Sequence, residues 1–390
     1  MSVKKLNILF LSSWYPNRVQ PTLGNFVQKH AEAIALTSNV AALNVCSDIN
    51  CKQTFETTIQ EINNVFTVNI YFKKSGFPLI KLIRYFKAHK IGFEIIQKKI
   101  KHIDLIHHTI LFPAGYFALY LKQKYHIPYI ITEHWTGYLA AKKQRFGIFE
   151  KYLSKKIARN ASTITTVSND LKNAMLNLGF ANKYQTVYNV VDTALFSLPS
   201  DKIKSSKIKF LHVSHLDNAH KNISGMLRVV KRLSETRNDF ECWFVGDGDT
   251  LPHIKLAKQL YIYNTFAFFD GTKSTKEIAQ LMKKADCFLL FSNYENMPVV
   301  ISEAMACGLP VISTNVGGIP EHISTNFGKL ISPNDEKELF NCLNEMIDEL
   351  KNNKYNALEI SNYAKNNFSY EQVSGHFHEI YVDVLNKNVQ

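Results

Sequence analysis

Two carboxylates eight residues apart carry the densest chemistry in the chain. Glu295 and Glu303 lie in the stretch Asn293-Tyr294-Glu295-Asn296-Met297-Pro298-Val299-Val300-Ile301-Ser302-Glu303-Ala304-Met305-Ala306-Cys307-Gly308-Leu309-Pro310. An apolar, strand-like run at 287–291 comes before it, and a helical pattern begins within it. The loop 293–298 is therefore expected at the carboxyl end of a strand and at a helix N-terminus, where unpaired backbone N–H groups can meet sugar hydroxyls or phosphate. Glu295 precedes the helix and Glu303 stands about two turns later, so the two would address separate parts of one ligand, such as a sugar ring and a ribose. Two solvated charges are the plain alternative. For Glu303 the apolar neighbours Ala304, Met305 and Ala306 weigh against it.

Elements that could position this loop follow from periodicity. Short apolar runs predict strands at 6–11, 40–46, 66–71, 105–107, 129–132 and 163–167, with helices at 24–36, 79–100 and 146–159 among those between them. A polar, lysine-rich connector at 198–207 precedes a second block, with strands at 208–213, 241–245, 265–269, 287–291, 310–313 and 328–331. Strand–helix alternation in two blocks predicts two parallel-sheet α/β domains, with ligands held where strand ends face a cleft between them.

Composition narrows the class. The chain has 390 residues, 46% hydrophobic and 20% charged, enough for two buried cores and far from a disordered composition. Charge is uneven: residues 1–200 hold 25 Lys/Arg against 10 Asp/Glu, and the remainder 21 against 23. A net of +15 on the first half points to an anionic partner, whether nucleic acid, membrane or polyphosphate, with ordinary solvated lysines as the alternative. The segment 73–101 interleaves Lys73, Lys74, Lys81, Arg84, Lys87 and Lys90 with large apolar residues, a pattern suited either to an anionic leaflet or to a surface helix packed on its own sheet. Six cysteines show no paired or metal-ligand spacing, as expected in a reducing compartment. Neither a signal peptide nor a spanning segment is evident in the sequence, so a cytoplasmic protein is expected, with the inner face of the cell membrane as its working place.

The stretch around Glu295 and Glu303 resembles the Glu-x7-Glu signature of glycosyltransferase family 4, whose members have the GT-B fold: two Rossmann-like parallel-sheet domains facing across a cleft. Further resemblances run in order along nearly the whole chain. Trp14-Tyr15-Pro16 with Gly24-Asn25-Phe26 is similar to the family's first loop, near the donor diphosphate. Asp104-Leu105-Ile106-His107 with Pro113-Ala114-Gly115, and Thr132-Glu133-His134, match the next segments. Asn189-Val190-Val191-Asp192 with Phe196 resembles the interdomain segment. Lys221-Asn222, Phe244-Val245-Gly246-Asp247-Gly248 and Phe269-Asp270-Gly271 match the second domain's early turns.

The resemblance implies a retaining, metal-independent transferase using a nucleoside-diphosphate sugar, UDP favoured and GDP an option, with no cofactor. It implies an acceptor-side domain at 1–197, a donor-binding domain at 198–369 and a helix at 370–390 crossing back to the first. The implied catalytic residues are His134, Lys221 and Glu295; the implied donor-binding residues are Gly24, His215, Gly246, Phe269, Asn296, Met297, Pro298, Val299 and Glu303. Glu295 would hold sugar hydroxyls, Glu303 the ribose, and Phe269 would lie beside the base. His134 would donate a hydrogen bond near the anomeric centre from side chain or backbone, and the 296–299 backbone would meet the sugar's far edge. Lys221, backbone N–H groups near Gly24 and a helix beginning near Gly317-Gly318 would neutralise the departing diphosphate. Four positions depart from the family pattern: His215 for Arg, Asn296 and Val190 for Gly, and a single glycine in the first loop.

The expected acceptor is a glycan or lipid-linked molecule, as in surface-glycan assembly, with peripheral membrane association through the basic half. A nicotinamide-dependent dehydrogenase would need G-x-G-x-x-G after the first strand, where Ser-Ser-Trp-Tyr-Pro stands instead. A nucleotide-sugar epimerase or hydrolase of similar architecture, a catalytically silent relative, and a non-catalytic basic nucleic-acid- or membrane-binding protein are the other readings. No zinc spacing or RNA-recognition motif supports nucleic acid.

Overall fold

The computed structural model describes residues 5–140, 147–200 and 205–387. Residues 1–4, position 146 at the start of one expected helix, 201–204 of the expected connector and 388–390 of the expected last helix lie outside the described residues. The chain forms two compact units, one made of residues up to Val190 plus the helix from Tyr370, the other Val191–Ser369.

In the first unit eight strands form one sheet: β1 (Asn7–Ser12), β2 (Asn39–Asp48), β3 (Phe55–Ile62), β4 (Val65–Lys73), β5 (Leu105–Thr109), β6 (Tyr129–Glu133), β7 (Ile164–Thr166) and β8 (Tyr184–Thr186). Their order is β3-β4-β2-β1-β5-β6-β7-β8. All neighbours run parallel except β3 and β4. Central β1 is covered on both faces, so Ile8, Leu9, Phe10 and Leu11 are fully buried and the strand reads as one apolar run. The helices are α1 (Asn25–Thr37), α2 (Pro78–Lys99), α3 (Gly115–Tyr125), α4 (Ile148–Asn160) and α5 (Asn169–Asn177). The chain's last helix, Tyr370–Lys387, packs Val373, Phe377, Ile380 and Tyr381 into the same core as Val27, Ala31 and Ile34 of α1.

Strand β3 was not expected. It is a largely exposed, polar edge strand, joined to β4 through Asn63 and Asn64, which both adopt positive φ (47° and 63°). Two successive left-handed residues make the tight turn whose twist suits a hairpin, and Asn tolerates that conformation.

The second unit holds β9 (Ile208–Val213), β10 (Phe240–Val245), β11 (Ala267–Phe269), β12 (Cys287–Leu290), β13 (Val311–Thr314) and β14 (Gly328–Ile331). They form a parallel sheet in the order β11-β10-β9-β12-β13-β14. Around it lie α6 (Asn218–Lys221), α7 (Ile223–Ser234), α8 (Leu251–Gln259), α9 (Thr275–Lys284), α10 (Val299–Ala306), α11 (Glu336–Lys351) and α12 (Ala357–Phe368), with α13 being the Tyr370–Lys387 helix. In α7 the stripe Ile223, Met226, Leu227, Val230, Leu233 recurs at helical spacing and is buried. Such an order reverses direction between β9 and β12, and the loops leaving the carboxyl ends of those two strands flank the crevice where doubly wound sheets bind ligands. In the first unit the equivalent reversal lies between β1 and β5.

Candidate active site

Lys221 ends the short helix after β9, and Glu295 lies in the loop after β12, so the topology delivers both to the reversal point of the second sheet. The Lys221 ammonium is ion-paired with Glu295 Oε1, and both side chains are about one-tenth exposed. His220 lies 3.4 Å from the same oxygen, stacks flat on Tyr294 at 4.2 Å, and hydrogen-bonds the Tyr294 carbonyl at 2.8 Å. Asn293 N–H donates to the His220 carbonyl, which laces the two loops together at backbone level. Burial alone would raise the Glu295 carboxyl; the opposing Lys221 and His220 charges overcome it and bring it down to about 2. Glu295 is thus an ionised carboxylate held in a poorly hydrated place.

Beyond Glu295 the chain turns through buried Asn296 and Met297 to Pro298, which starts α10. Among the described residues no side chain caps this helix and no acidic residue stands in its first turn, so an anion or hydroxyl there meets unopposed N–H groups. Val299 is partly exposed, and Glu303 is buried in the middle of α10. Gly246 follows β10 with φ 147°, and a Cβ there would stand 1.7 Å from the Ser214 carbonyl oxygen, so only glycine lets this turn close on the loop after β9. His215 Nδ1 lies 3.0 Å from Asp247 in that turn, and both side chains are well exposed. Phe269, at the end of β11, stacks on Phe244 at 5.1 Å and keeps one partly exposed face.

In the first unit the loop after β1 returns to Gly24, the left-handed cap of α1 (φ 73°), where a Cβ would meet the Trp14 carbonyl oxygen at 2.5 Å. Ser13 Oγ donates to the Ile110 carbonyl and accepts from Ala114 N–H, binding this loop to the one after β5. Ile110, β-branched and at φ 61°, sits there in a conformation such residues rarely adopt.

His134 follows β6 and is buried between Phe26 (4.9 Å) and His30 (5.1 Å). Its backbone N–H donates to Glu133 Oε1. Glu133 accepts from three backbone N–H groups, those of Leu111, His134 and Trp135, and its carboxyl is raised by burial against their pull. It organises the loop. Burial and the nearby His30 and His107 push the His134 ring well below its ordinary range, with an Asn189 hydrogen bond opposing, so the ring is neutral.

Comparison with known proteins decides the family. The description "Glycosyltransferase Family 4" matches residues 56–195, and "Glycosyl transferases group 1" matches residues 197–367. An uncharacterized glycosyltransferase of Methanocaldococcus jannaschii is 30% identical over 75% of this chain and 77% of its own length. The chain belongs to glycosyltransferase family 4. The N-acetyl-alpha-D-glucosaminyl L-malate synthase of Bacillus anthracis is 28% identical over 83% of this transferase and 86% of its own chain. Among solved structures, a sucrose-phosphate synthase from Thermosynechococcus elongatus superposes with TM-score 0.76 at 18% identity, covering 98% of this chain and 100% of that one. Anabaena HepE in complex with UDP-glucose gives 0.70 at 19%, and the lipopolysaccharide outer core galactosyltransferase WaaB gives 0.70 at 17%; each match covers 97% of this chain and 100% of the other. The transferase has the GT-B fold of these neighbours.

One expectation is corrected by the transferase's structure. The helix expected near Gly317-Gly318 is a single 3₁₀ turn, Ile319–Glu321. Three residues with an acidic member accumulate little dipole, so this turn adds little positive potential. What the glycines do instead is let the chain press on the Glu295 loop: Gly318 N–H donates to the Asn296 carbonyl at 2.7 Å. A Cβ on Gly317 (φ 57°) would stand 2.1 Å from the Glu295 carbonyl oxygen. Gly317→Ala should therefore raise the donor KM and lower the thermal midpoint by several degrees, given a left-handed strain of about 1–2 kcal/mol plus the clash. Unchanged donor titration and melting would refute this.

His220 and His30 escaped sequence reading. His220 could have been suspected only from its place beside Lys221, since its stacking partner Tyr294 is 74 residues away. His30 meets both His134 and Phe377, and His107 also meets Phe377, contacts that only the folded sheet and last helix create.

Proposed function

We propose that this glycosyltransferase moves a hexose from a nucleoside-diphosphate sugar, UDP favoured, to a glycan or lipid-linked acceptor in surface-glycan assembly, retaining the anomeric configuration and without a metal. The observation that carries this reading is the buried Lys221–Glu295 pair at the reversal point of the second sheet. Glu295 is an ionised acceptor for the donor's sugar hydroxyls. Lys221 supplies positive charge where the leaving diphosphate develops negative charge, joined by the open N-terminus of α10. Glu303 in α10 receives the ribose, and Phe269 offers its exposed face to the base. Gly246 keeps its turn free of side chains for the phosphates, with His215 in the adjoining loop of the same unit, and Gly24 does so in the first unit. The neutral His134 ring donates to the transferring sugar.

In the reaction the bond from the anomeric carbon to the phosphate oxygen breaks, and the electron pair leaves with the diphosphate. The acceptor hydroxyl forms the new bond on the same face and passes its proton to the departing phosphate oxygen. No side-chain base is used. Glu133 is engaged by three backbone N–H groups and Asp104 by the Asn7 N–H at 2.7 Å, which supports that assignment. The UDP-glucose complex of HepE favours a uridine donor, and the WaaB galactosyltransferase favours a surface glycan as product.

Thermal-shift titration with UDP-, GDP-, ADP- and TDP-sugars should select one nucleotide, and NMR of the product should give an anomeric proton coupling matching the donor's configuration. Turnover should survive chelation by EDTA. An inverted linkage, or activity restored only by added Mg²⁺ or Mn²⁺, would overturn the mechanism. Donor epimerisation or hydrolysis matching the rate with acceptor would favour the epimerase or hydrolase reading.

A further inference from the structure

We infer that the N-terminal end of α2 is a membrane-docking tip for a leaflet rich in anionic lipid. Sequence periodicity allowed this helix either to lie on a leaflet or to pack on its own sheet, and the structure divides it between two roles. Its C-terminal half packs Ala88, His89, Gly92, Phe93 and Ile96 onto β2 and β4; a Cβ on Gly92 would meet Leu43 at 2.2 Å. The same stripe continues towards the N-terminus through Phe86, Ile83, Leu82 and Leu79, but there it runs past the sheet. Phe77, Leu79, Leu82 and Ile83 are 70%, 68%, 61% and 58% exposed. Isolated exposed apolar residues are ordinary, whereas four large ones within seven positions at a helix end form a contiguous apolar surface.

Charge identifies the occupant. Between Glu61 and Glu94 the sequence has six cations, Lys73, Lys74, Lys81, Arg84, Lys87 and Lys90, and no Asp or Glu. Arg84 donates to the Lys73 carbonyl at 2.7 Å, which fixes the helix start to the end of β4 and holds the cations beside the apolar tip. Lys90 lies over the Phe86 ring at 5.3 Å, and Phe86 meets exposed Tyr116 of α3 edge-on at 5.9 Å, so aromatic and basic groups continue around the tip. A partner that is apolar within and anionic at its rim is a leaflet of acidic phospholipid. The tip is too short to cross: among the described residues no helix is long and apolar enough to span a membrane. Phe77, Leu79, Leu82 and Ile83 would enter the acyl boundary while the lysines stay at the headgroups.

Flotation of the full chain with vesicles, without donor or acceptor, tests this separately from sugar transfer. Wild type should float with mixed phosphatidylcholine–phosphatidylglycerol vesicles and not with phosphatidylcholine alone, and added salt should release it. The variant L79S/L82S/I83S should lose binding by about tenfold or more, and Lys81→Glu with Lys87→Glu by about fivefold or more per charge. These residues are exposed, so thermal midpoints should match wild type. The inference fails if wild type ignores anionic vesicles, or if both variants bind them as well as wild type. It also fails if the serine variant abolishes a self-association seen by sedimentation while vesicle binding is absent, which would assign the patch to a second copy.

Discussion

Replacing Lys221 with Met should lower kcat by about 10²–10³-fold and destabilise the C-terminal unit by about 3–5 kcal/mol, and adding Glu295→Gln should restore the stability without the activity. The activity loss follows from removing the charge that meets the departing diphosphate in a poorly hydrated site. The stability loss has a different origin. With Lys221 gone, Glu295 is a buried carboxylate whose remaining ion-pair partner among the described residues is His220 at 3.4 Å, and an uncompensated buried charge is costly. In the wild type, burial raises the Glu295 carboxyl and the Lys221 and His220 charges bring it to about 2. A carboxyl held below its unfolded value contributes stability above the unfolded pKa, and loses it as pH falls from about 4.5 towards 2. In Lys221→Met the burial effect dominates, the folded pKa moves up, and the sign reverses. The carboxyl then favours the folded state at low pH and opposes it as pH rises. The gap in thermal midpoint between wild type and variant should be widest near neutrality and narrow towards pH 4.5. It should stay small at both pH values for the double variant. A gap independent of pH would show that Lys221 acts on stability through packing of its stem and not through Glu295.

How much of this was legible beforehand depends on whether a feature is local. The Glu295 loop could be placed at a strand's carboxyl end and a helix start because Cys287–Leu290 and Val299–Ala306 each announce themselves by composition within a few residues. Central strands such as β1 are continuous apolar runs for the same reason that they are buried on both faces. β3 lacks that signature because one face is solvent and the ladder's register comes from a two-residue asparagine turn. β8 is three residues long and part-exposed, below the length at which alternation can be read.

Within the site the pattern repeats. Glu295, Glu303 and Lys221 stand in recognisable local contexts, but the Lys221–Glu295 ion pair joins residues 74 apart and exists only because β9 and β12 are neighbours. The family resemblance implies a helix start at Gly317-Gly318. The positive φ of Gly317 serves close approach to Glu295 instead, a use that cannot be told apart without the partner backbone. His215 stands in place of a family arginine, and histidine is neutral or cationic near neutral pH according to its surroundings. The structure adds that its ring lies 3.0 Å from Asp247.

His134→Ala should lower kcat by about 10²–10³-fold with little change in donor KM, and the remaining activity should follow the same pH profile as wild type. Buried with His30 and His107, the ring has its pKa pushed well below the ordinary value, so it is neutral through the working range and can donate one hydrogen bond but not a proton. A general acid or base would instead imprint a limb near neutrality on the wild-type profile, and that limb would vanish in the variant. Acid inactivation of the wild type has a separate cause. His30, His89, His107 and His108 are likewise buried with lowered pKa values. Below about pH 6.5 the unfolded chain binds protons that these rings refuse, so stability falls with pH and activity should be lost in step with unfolding. His134→Asn keeps a donor in a smaller side chain and should recover part of the rate while leaving the profile unchanged. A neutral-range limb removed by either substitution would make the ring a titrating catalyst and end the hydrogen-bond assignment.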